Sequence, residues 1–260
     1  IVHMHGVDFS EYLPDEKPVL VTLHLPLTWY KPGSLFPKRH SVYFNCVSRT
    51  QAVTRPEGME LTGVIGNGVP VEIFSKRLSR RGFALSLGRV CPEKGFHYAM
   101  DAAKEAGVPF LLAGEVFPYE AHKYYYEHEI RPRLEKGRCR FIGPVGLARK
   151  RRLLSSARCL LVPSLAPETS SLSAMEALAS GTPVIAFPNG ALPEIVEHGR
   201  TGFIVKNAAE MSEAIGRAHE ISPQLCRQAA LTRFSHLGMV EGYLKAYKKI
   251  LEETESLKAR

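Results

Sequence analysis

Long apolar runs are missing from this chain. None of its stretches approaches the roughly 20 apolar residues that span a bilayer, so no transmembrane helix is expected. No signal-peptide pattern is visible, and the first residue is Ile1 rather than Met, so the expectation is that the natural N-terminus is missing. Cysteine is scarce and scattered. Cys46, Cys91, Cys139, Cys159 and Cys226 make an odd number without a close pair. That argues against a disulfide framework or a zinc site and for a reducing, cytoplasmic setting. Internal repeats, low-complexity tracts, zinc-finger spacing and a helix-turn-helix signature are also lacking.

What the chain has is apolar content and positive charge. The apolar fraction of 45% is that of a globular protein with a sizeable core. The formal net charge of +8 is densest at Arg149-Lys150-Arg151-Arg152, with no interleaved aromatics. Without a nucleic-acid motif, that run reads as the solvated basic face of a helix start, and nucleic acid is not an expected partner. Such charge suits a phosphorylated ligand, or peripheral association with an anionic membrane surface.

The pattern divides the chain into three pieces. Residues 1–66 hold short strand candidates at Ile1 to His5, Val19 to His24, Val42 to Ser48 and Val64-Ile65, with a proline-rich loop from Leu25 to Pro37. His3 and His5 without a third partner read as a strand end beside a cleft rather than a metal site. Residues 67–237 alternate between strands and helices. Strands are expected at Phe83 to Leu87, Val108 to Ala113, Cys139 to Ile142, Cys159 to Val162, Val184 to Phe187 and Phe203 to Val205. Helices are expected at Lys94 to Ala106, Tyr119 to Leu134, Ala148 to Ser156, Ala208 to His219 and Pro223 to Phe234. Residues 238–260 form a last helix with Met239, Tyr243, Leu244, Tyr247, Ile250 and Leu251 near one face. The predicted fold class is α/β with parallel sheets. Ligands of such sheets gather beyond the carboxyl ends of the strands, where Gly88-Arg89, Gly114, Gly143-Pro144 and Pro163-Ser164 fall.

The stretch from Leu160 to Phe187 reads as strand, loop, helix and strand, with Gly181 and Pro183 stopping the helix. Glu168 lies in its loop and Glu176 on its helix. Eight helical steps would part them by roughly 12 Å, which suits two carboxylates holding different hydroxyls of one extended ligand. Thr169, Ser170 and Ser171 can cap the helix and leave its first N–H groups pointing outward, an anion seat. The plainer alternative is a solvated Glu176 and an ordinary cap.

Pro163-Ser164, Glu168, Glu176 and Ala177-Leu178-Ala179-x-Gly181-x-Pro183-Val184 together resemble the donor-sugar motif of glycosyltransferase family 4, retaining enzymes of the GT-B fold. Ser86 to Gly95 resembles an upstream block of that family, and Ala191 to Val205 the block that follows. The resemblance covers roughly residues 60–240. It implies a complete C-terminal Rossmann-like donor domain over 67–237 and a partial N-terminal, acceptor-side domain over 1–66. The 238–260 helix then packs back toward the N-terminal domain, where uncovered apolar surface would favour self-association.

The resemblance also implies roles. Arg89 and Lys94 stabilise the leaving diphosphate, so no metal or other cofactor is expected, in agreement with the lack of an Asp-x-Asp signature. Glu176 takes ribose hydroxyls and Glu168 donor-sugar hydroxyls. Backbone groups of Ser170, Ser171 and Leu172 meet sugar or phosphate, with Gly88 and Gly114 beside them, and the base lies near Gly143, Pro144 and Val145. His24, at a strand end, faces the sugar; read alone it is a hydrogen-bonded core histidine. One departure stands out: the family continues with Gly-Phe-Gly after the first Glu, whereas this chain has Thr169-Ser170-Ser171. The implied partners are a nucleoside-diphosphate hexose and an acceptor that is a glycan, lipid or small molecule. A GT-B-type sugar-nucleotide epimerase and a binding-only fragment are the alternatives.

Overall fold

The structure, a computed structural model, describes residues 1–39, 41–74, 82–135 and 137–258. Runs rich in Val, Ile and Leu form most of the strands, and a glycine or proline follows several of them. Near the N-terminus, β1 (Val2–Met4), β2 (Val19–Leu23) and β3 (Val42–Cys46) are followed by α1 (Arg49–Val53) and β4 (Gly63–Val64). They form a parallel sheet in the order β1-β2-β3-β4. Every residue of β2 is buried, as expected of a strand covered on both faces. Val19, Val21 and Leu23 pack with Phe9, Leu27, Tyr30 and Phe44 on one face. Ser48 caps α1 by accepting from the Gln51 amide, and the Gln51 side chain donates to the carbonyls of Leu23 and Leu25, 2.8 Å each.

The chain continues with α2 (Val71–Phe74), β5 (Ala84–Leu87), α3 (Phe96–Glu105), β6 (Phe110–Ala113), α4 (Glu120–Tyr125), β7 (Cys139–Phe141) and α5 (Leu147–Ser156). β8 (Cys159–Val162), α6 (Leu172–Ala179), β9 (Val184–Ala186), α7 (Leu192–Ile195), β10 (Gly202–Ile204), α8 (Ala208–Arg217) and α9 (Pro223–Arg233) complete this part. Six parallel strands lie in the order β10-β9-β8-β5-β6-β7. The order reverses between β5 and β8, the kind of switch point at which open α/β sheets bind ligands. Leu85, Leu160, Leu161 and Ile185 form the centre of its core.

Two expected helices are broken. The segment from Lys94 opens instead as a 3-10 turn, Pro92–Lys94, and α3 starts only after Gly95, whose φ of 61° is left-handed. The segment from Tyr119 to Leu134 is α4, then a π-helical stretch Tyr126–Ile130, then a 3-10 turn Arg131–Arg133. Pro132 accounts for the second break: it has no N–H to donate back along the helix, and its ring crowds the preceding turn.

The last helix, α10 (His236–Lys258), lays Tyr243 and Ile250 against Leu20, on the face of the first sheet opposite the Phe9 cluster. Leu244 and Leu251, expected on the same stripe, are exposed. The chain thus forms two compact units, Ile1–Gly68 with His236–Arg260, and Val69–Ser235.

Candidate functional site

Because β5 to β10 are parallel, the loops that follow them leave from one edge of the sheet. Three glycines stitch the first of these loops together. The Gly88 amide donates to Ala113 O at 3.1 Å and the Gly114 amide to Gly143 O at 3.0 Å. A Cβ on Gly114 would overlap the Gly88 carbonyl, so any larger residue would push these strand ends apart. Gly88, at φ 150°, and Gly143, at φ 68°, adopt backbone angles that side chains disfavour. Val145 follows, half-buried.

The next turn carries the two cations. Cys91 precedes the 3-10 turn Pro92–Lys94, and a Cβ on Gly95 would run into the Pro163 carbonyl. The Leu165 amide also donates to Glu93 O at 2.7 Å, so the turn packs directly on the loop after β8. This brings Lys94 Nζ to 2.5 Å from Glu168 Oε1, and the Ser164 hydroxyl donates to the same oxygen at 2.5 Å. Glu168 is held through its backbone as well, because the Ala191 amide donates to its carbonyl at 2.7 Å. Only 11% of the Glu168 side chain is exposed, so its charge is balanced by Lys94 rather than by bulk water. Arg89 is exposed on the same turn.

A second pair lies at α6. Lys150 Nζ is 2.6 Å from Glu176 Oε1, and Lys150 also sits 5.8 Å from the Phe74 ring centroid. This corrects the reading of Lys150 as part of a solvated basic face. Lys150 lies one helical turn from Leu154, which is fully buried, so it is on the side of α5 that turns inward, whereas Leu147 at the start of the helix is exposed. That spacing to Leu154 was the available signal.

The start of α6 also departs from expectation. Ser171 occupies the cap position, but its side chain accepts no helix N–H and contacts Ser173 Oγ at 3.3 Å instead. Ser170 Oγ is buried without a hydrogen-bond partner among the described residues. Leu172, the first residue of α6, is exposed.

His24 belongs to the other unit, at the carboxyl end of β2. Its Nε2 is 2.9 Å from His5 Nδ1, the two rings stack, and its amide donates to the Tyr30 hydroxyl at 2.9 Å. His3 completes a cluster that sequence spacing did not reveal: it contacts Tyr247 at 2.6 Å and Thr22 at 2.7 Å. Burial, then the neighbouring His5 and His24, lower the His3 pKa to about 4. Burial, followed by His5, also lowers that of His24.

Among the described residues, no helix is long and apolar enough to cross a membrane. Residues 72–230 match the profile of a family described as glycosyl transferases group 1. An uncharacterized 41.2 kDa protein in the cps region of Klebsiella pneumoniae is 29% identical over 174 residues, covering 63% of this chain and 45% of that protein. This chain therefore spans less than half of the length of that relative. The crystal structure of AviGT4, a glycosyltransferase involved in avilamycin A biosynthesis, superposes with a TM-score of 0.75 at 25% identity, over 93% of this chain and 70% of that one. The Anabaena protein HepE, crystallised with UDP and glucose, superposes with a TM-score of 0.74 at 21% identity, over 89% and 72%. With two parallel α/β sheets that superpose on such glycosyltransferase structures, this chain has a GT-B-type fold, and with residues 72–230 matched it belongs to the glycosyl transferases group 1 family.

Proposed function

We propose that this protein is a retaining glycosyltransferase of family 4, and that the Val69–Ser235 unit binds a nucleoside-diphosphate hexose. The observation that carries the reading is the pairing of both motif carboxylates with lysines, Lys94 with Glu168 and Lys150 with Glu176. Carboxylates accept hydrogen bonds, as sugar and ribose hydroxyls require, and ammonium groups donate, as phosphate requires. A nucleotide-sugar therefore presents a partner for each member of the pairs.

In this reading Arg89 and Lys94 hold the diphosphate, and no metal is needed there. Their fixed charge counts for more as the glycosidic bond breaks and negative charge builds on the leaving oxygen. Glu176 accepts from the ribose, and Glu168 from the hexose. The backbone at Ser170, Ser171 and Leu172 meets sugar or phosphate, and the base lies by Gly143 and Val145. The bond from the anomeric carbon to the diphosphate breaks, and a bond to the acceptor oxygen forms on the same face. The acceptor proton passes to the leaving phosphate oxygen. His24 enters as a catalytic group on the family resemblance alone. The acceptor is a glycan, lipid or small molecule, with the basic surface favouring one presented at an anionic membrane.

A thermal-shift screen against nucleoside diphosphates and their hexose conjugates tests the binding step, since a ligand of the folded state raises apparent stability. One nucleotide series should stabilise the protein without added divalent metal, and Lys94→Ala should lose that effect. Product anomers read by NMR should keep the donor configuration. No stabilisation by any of the nucleotides, a need for magnesium or manganese, or an inverted product would each overturn the corresponding part.

A further inference from the structure

The turn that carries Arg89 and Lys94 also carries Cys91 and Glu93, and α4 brings His122 to them. The thiol sulfur, a carboxylate oxygen and a ring nitrogen of these residues all lie within 4.8 Å of one another. Cys91 is 1% exposed and His122 8%. The His122 Nδ1 is buried without a hydrogen-bond partner among the described residues. Leaving such a nitrogen unpaired is costly, which makes the cluster more than a chance meeting of surface groups. The imidazole is also held edge-on by two aromatic rings, Tyr119 at 5.1 Å and Phe117 at 6.3 Å between centroids.

The donor set decides the ligand. Calcium and magnesium take oxygen ligands and have no use for a thiol or an imidazole. Copper(I) favours sulfur donors and has little use for a carboxylate. One sulfur, one nitrogen and one oxygen suit Zn²⁺, which takes all three and is tetrahedral with four ligands. Glu93 is exposed, so the fourth position would open to solvent.

We propose that Cys91, Glu93 and His122 bind one divalent transition-metal ion, with Zn²⁺ the best match, and that the ion ties the Arg89–Lys94 turn to α4. On binding, the Cys91 thiol releases its proton to solvent and the sulfur donates to the metal. Cysteine spacing pointed away from zinc because only one of the three ligands is a cysteine and His122 comes from an element distant in sequence from the turn that carries the other two. The site does not depend on the sugar-transfer reading. Its effect on that reading would be structural, fixing the backbone that presents the two cations.

The test uses the full chain, untagged, treated with a chelator and then dialysed. Titration with Co²⁺ should saturate at one equivalent, with a thiolate-to-cobalt charge-transfer band, and Zn²⁺ should displace it. Zn²⁺ should also raise the melting temperature. Cys91→Ser should abolish the band, and both it and His122→Ala should weaken binding by at least ~100-fold, more than the loss of an outer-shell partner. Glu93→Gln, on an exposed side chain, should weaken it by about ten-fold and serves if Cys91→Ser fails to fold. Absence of saturable binding in the wild-type protein, a band that survives Cys91→Ser, or unchanged affinity in His122→Ala and Glu93→Gln would each overturn the proposal.

Discussion

Replacing Glu176 by alanine removes the carboxylate that Lys150 reaches at 2.6 Å, and the consequences for stability and for ligand binding separate cleanly. The Glu176 side chain is 13% exposed and Lys150 28%, so the pair lies between the surface and buried extremes. Lys150 can turn to water once its partner is gone, so the folding cost should be about 1 kcal/mol. For a chain of this size that is a fall in melting temperature of roughly 2–4 °C. Binding should suffer more. A charged hydrogen bond to ribose contributes about 1.5–3 kcal/mol, or roughly a ten- to a hundred-fold change in affinity. The low end is expected, because in the free protein the carboxylate already has Lys150 to satisfy it.

Calorimetric titration with a nucleoside diphosphate and with its 2′-deoxy form makes the assignment specific. Wild-type protein should prefer the ribonucleotide, and Glu176→Ala should lose that preference. Lys150→Met keeps the carboxylate and should keep the preference. A folded Glu176→Ala variant with unchanged affinity and unchanged ribose preference would remove Glu176 from the ribose site and leave it as a structural partner of Lys150.

Gly95→Ala should lower the melting temperature by at least about 4 °C, since φ 61° costs a side chain ~1–2 kcal/mol and the new Cβ meets the Pro163 carbonyl; an unchanged melt would show that the turn can move away from that loop. His3 predicts an acid limb. Its folded pKa of about 4 lies below the 6.5 of the unfolded chain, so the unfolded state binds more protons between those values. Stability should therefore fall as pH drops from about 6.5 to about 4, with His24 adding in the same sense. Fluorescence of Trp29, the single tryptophan and a member of the same unit, follows the transition in denaturant; a His3→Gln variant with an equally steep acid limb would refute the assignment.

What could be read from the sequence was what neighbouring residues enforce. Gly88, Gly114 and Gly143 marked strand ends because a left-handed angle or a close backbone approach is a local demand. Strand positions followed from apolar runs bounded by turns, whereas the helix expected from Tyr119 to Leu134 ran through Pro132, where the structure breaks it. Partners set by the fold were not legible. Lys94 and Glu168 meet across 74 positions, and Lys150 and Glu176 across 26. A run of four cations looks the same whichever of them faces inward, unless the spacing from Lys150 to the buried Leu154 is read with it. Ser171 has a capping side chain by type, but its contact with Ser173 takes precedence. His24 joins His5 only because β1 and β2 pair in parallel, with His3 beside Leu20.

The Thr169-Ser170-Ser171 stretch that precedes α6 has a consequence of its own. Ser170 Oγ is buried without a partner among the described residues, so the protein carries an unsatisfied hydroxyl beside the start of α6. Removing such a group while keeping its volume should stabilise the free protein, because the desolvation penalty of roughly 1–3 kcal/mol disappears. If the hydroxyl is held in reserve for the donor, the same change must weaken donor binding, since a bound hydroxyl or phosphate oxygen would lose its partner. Ser170→Ala should then raise the melting temperature by about 2–4 °C per kcal/mol recovered and lower affinity for the nucleotide-sugar by up to about ten-fold. A glycine at the same position is the necessary contrast: it also removes the hydroxyl but adds backbone freedom to the unfolded chain, so its stability gain should be smaller. Melting curves and titrations on the two variants read both effects. A gain in stability with undiminished affinity would show that the hydroxyl is strain without a function, and a loss of stability would show that it already has a partner in solution.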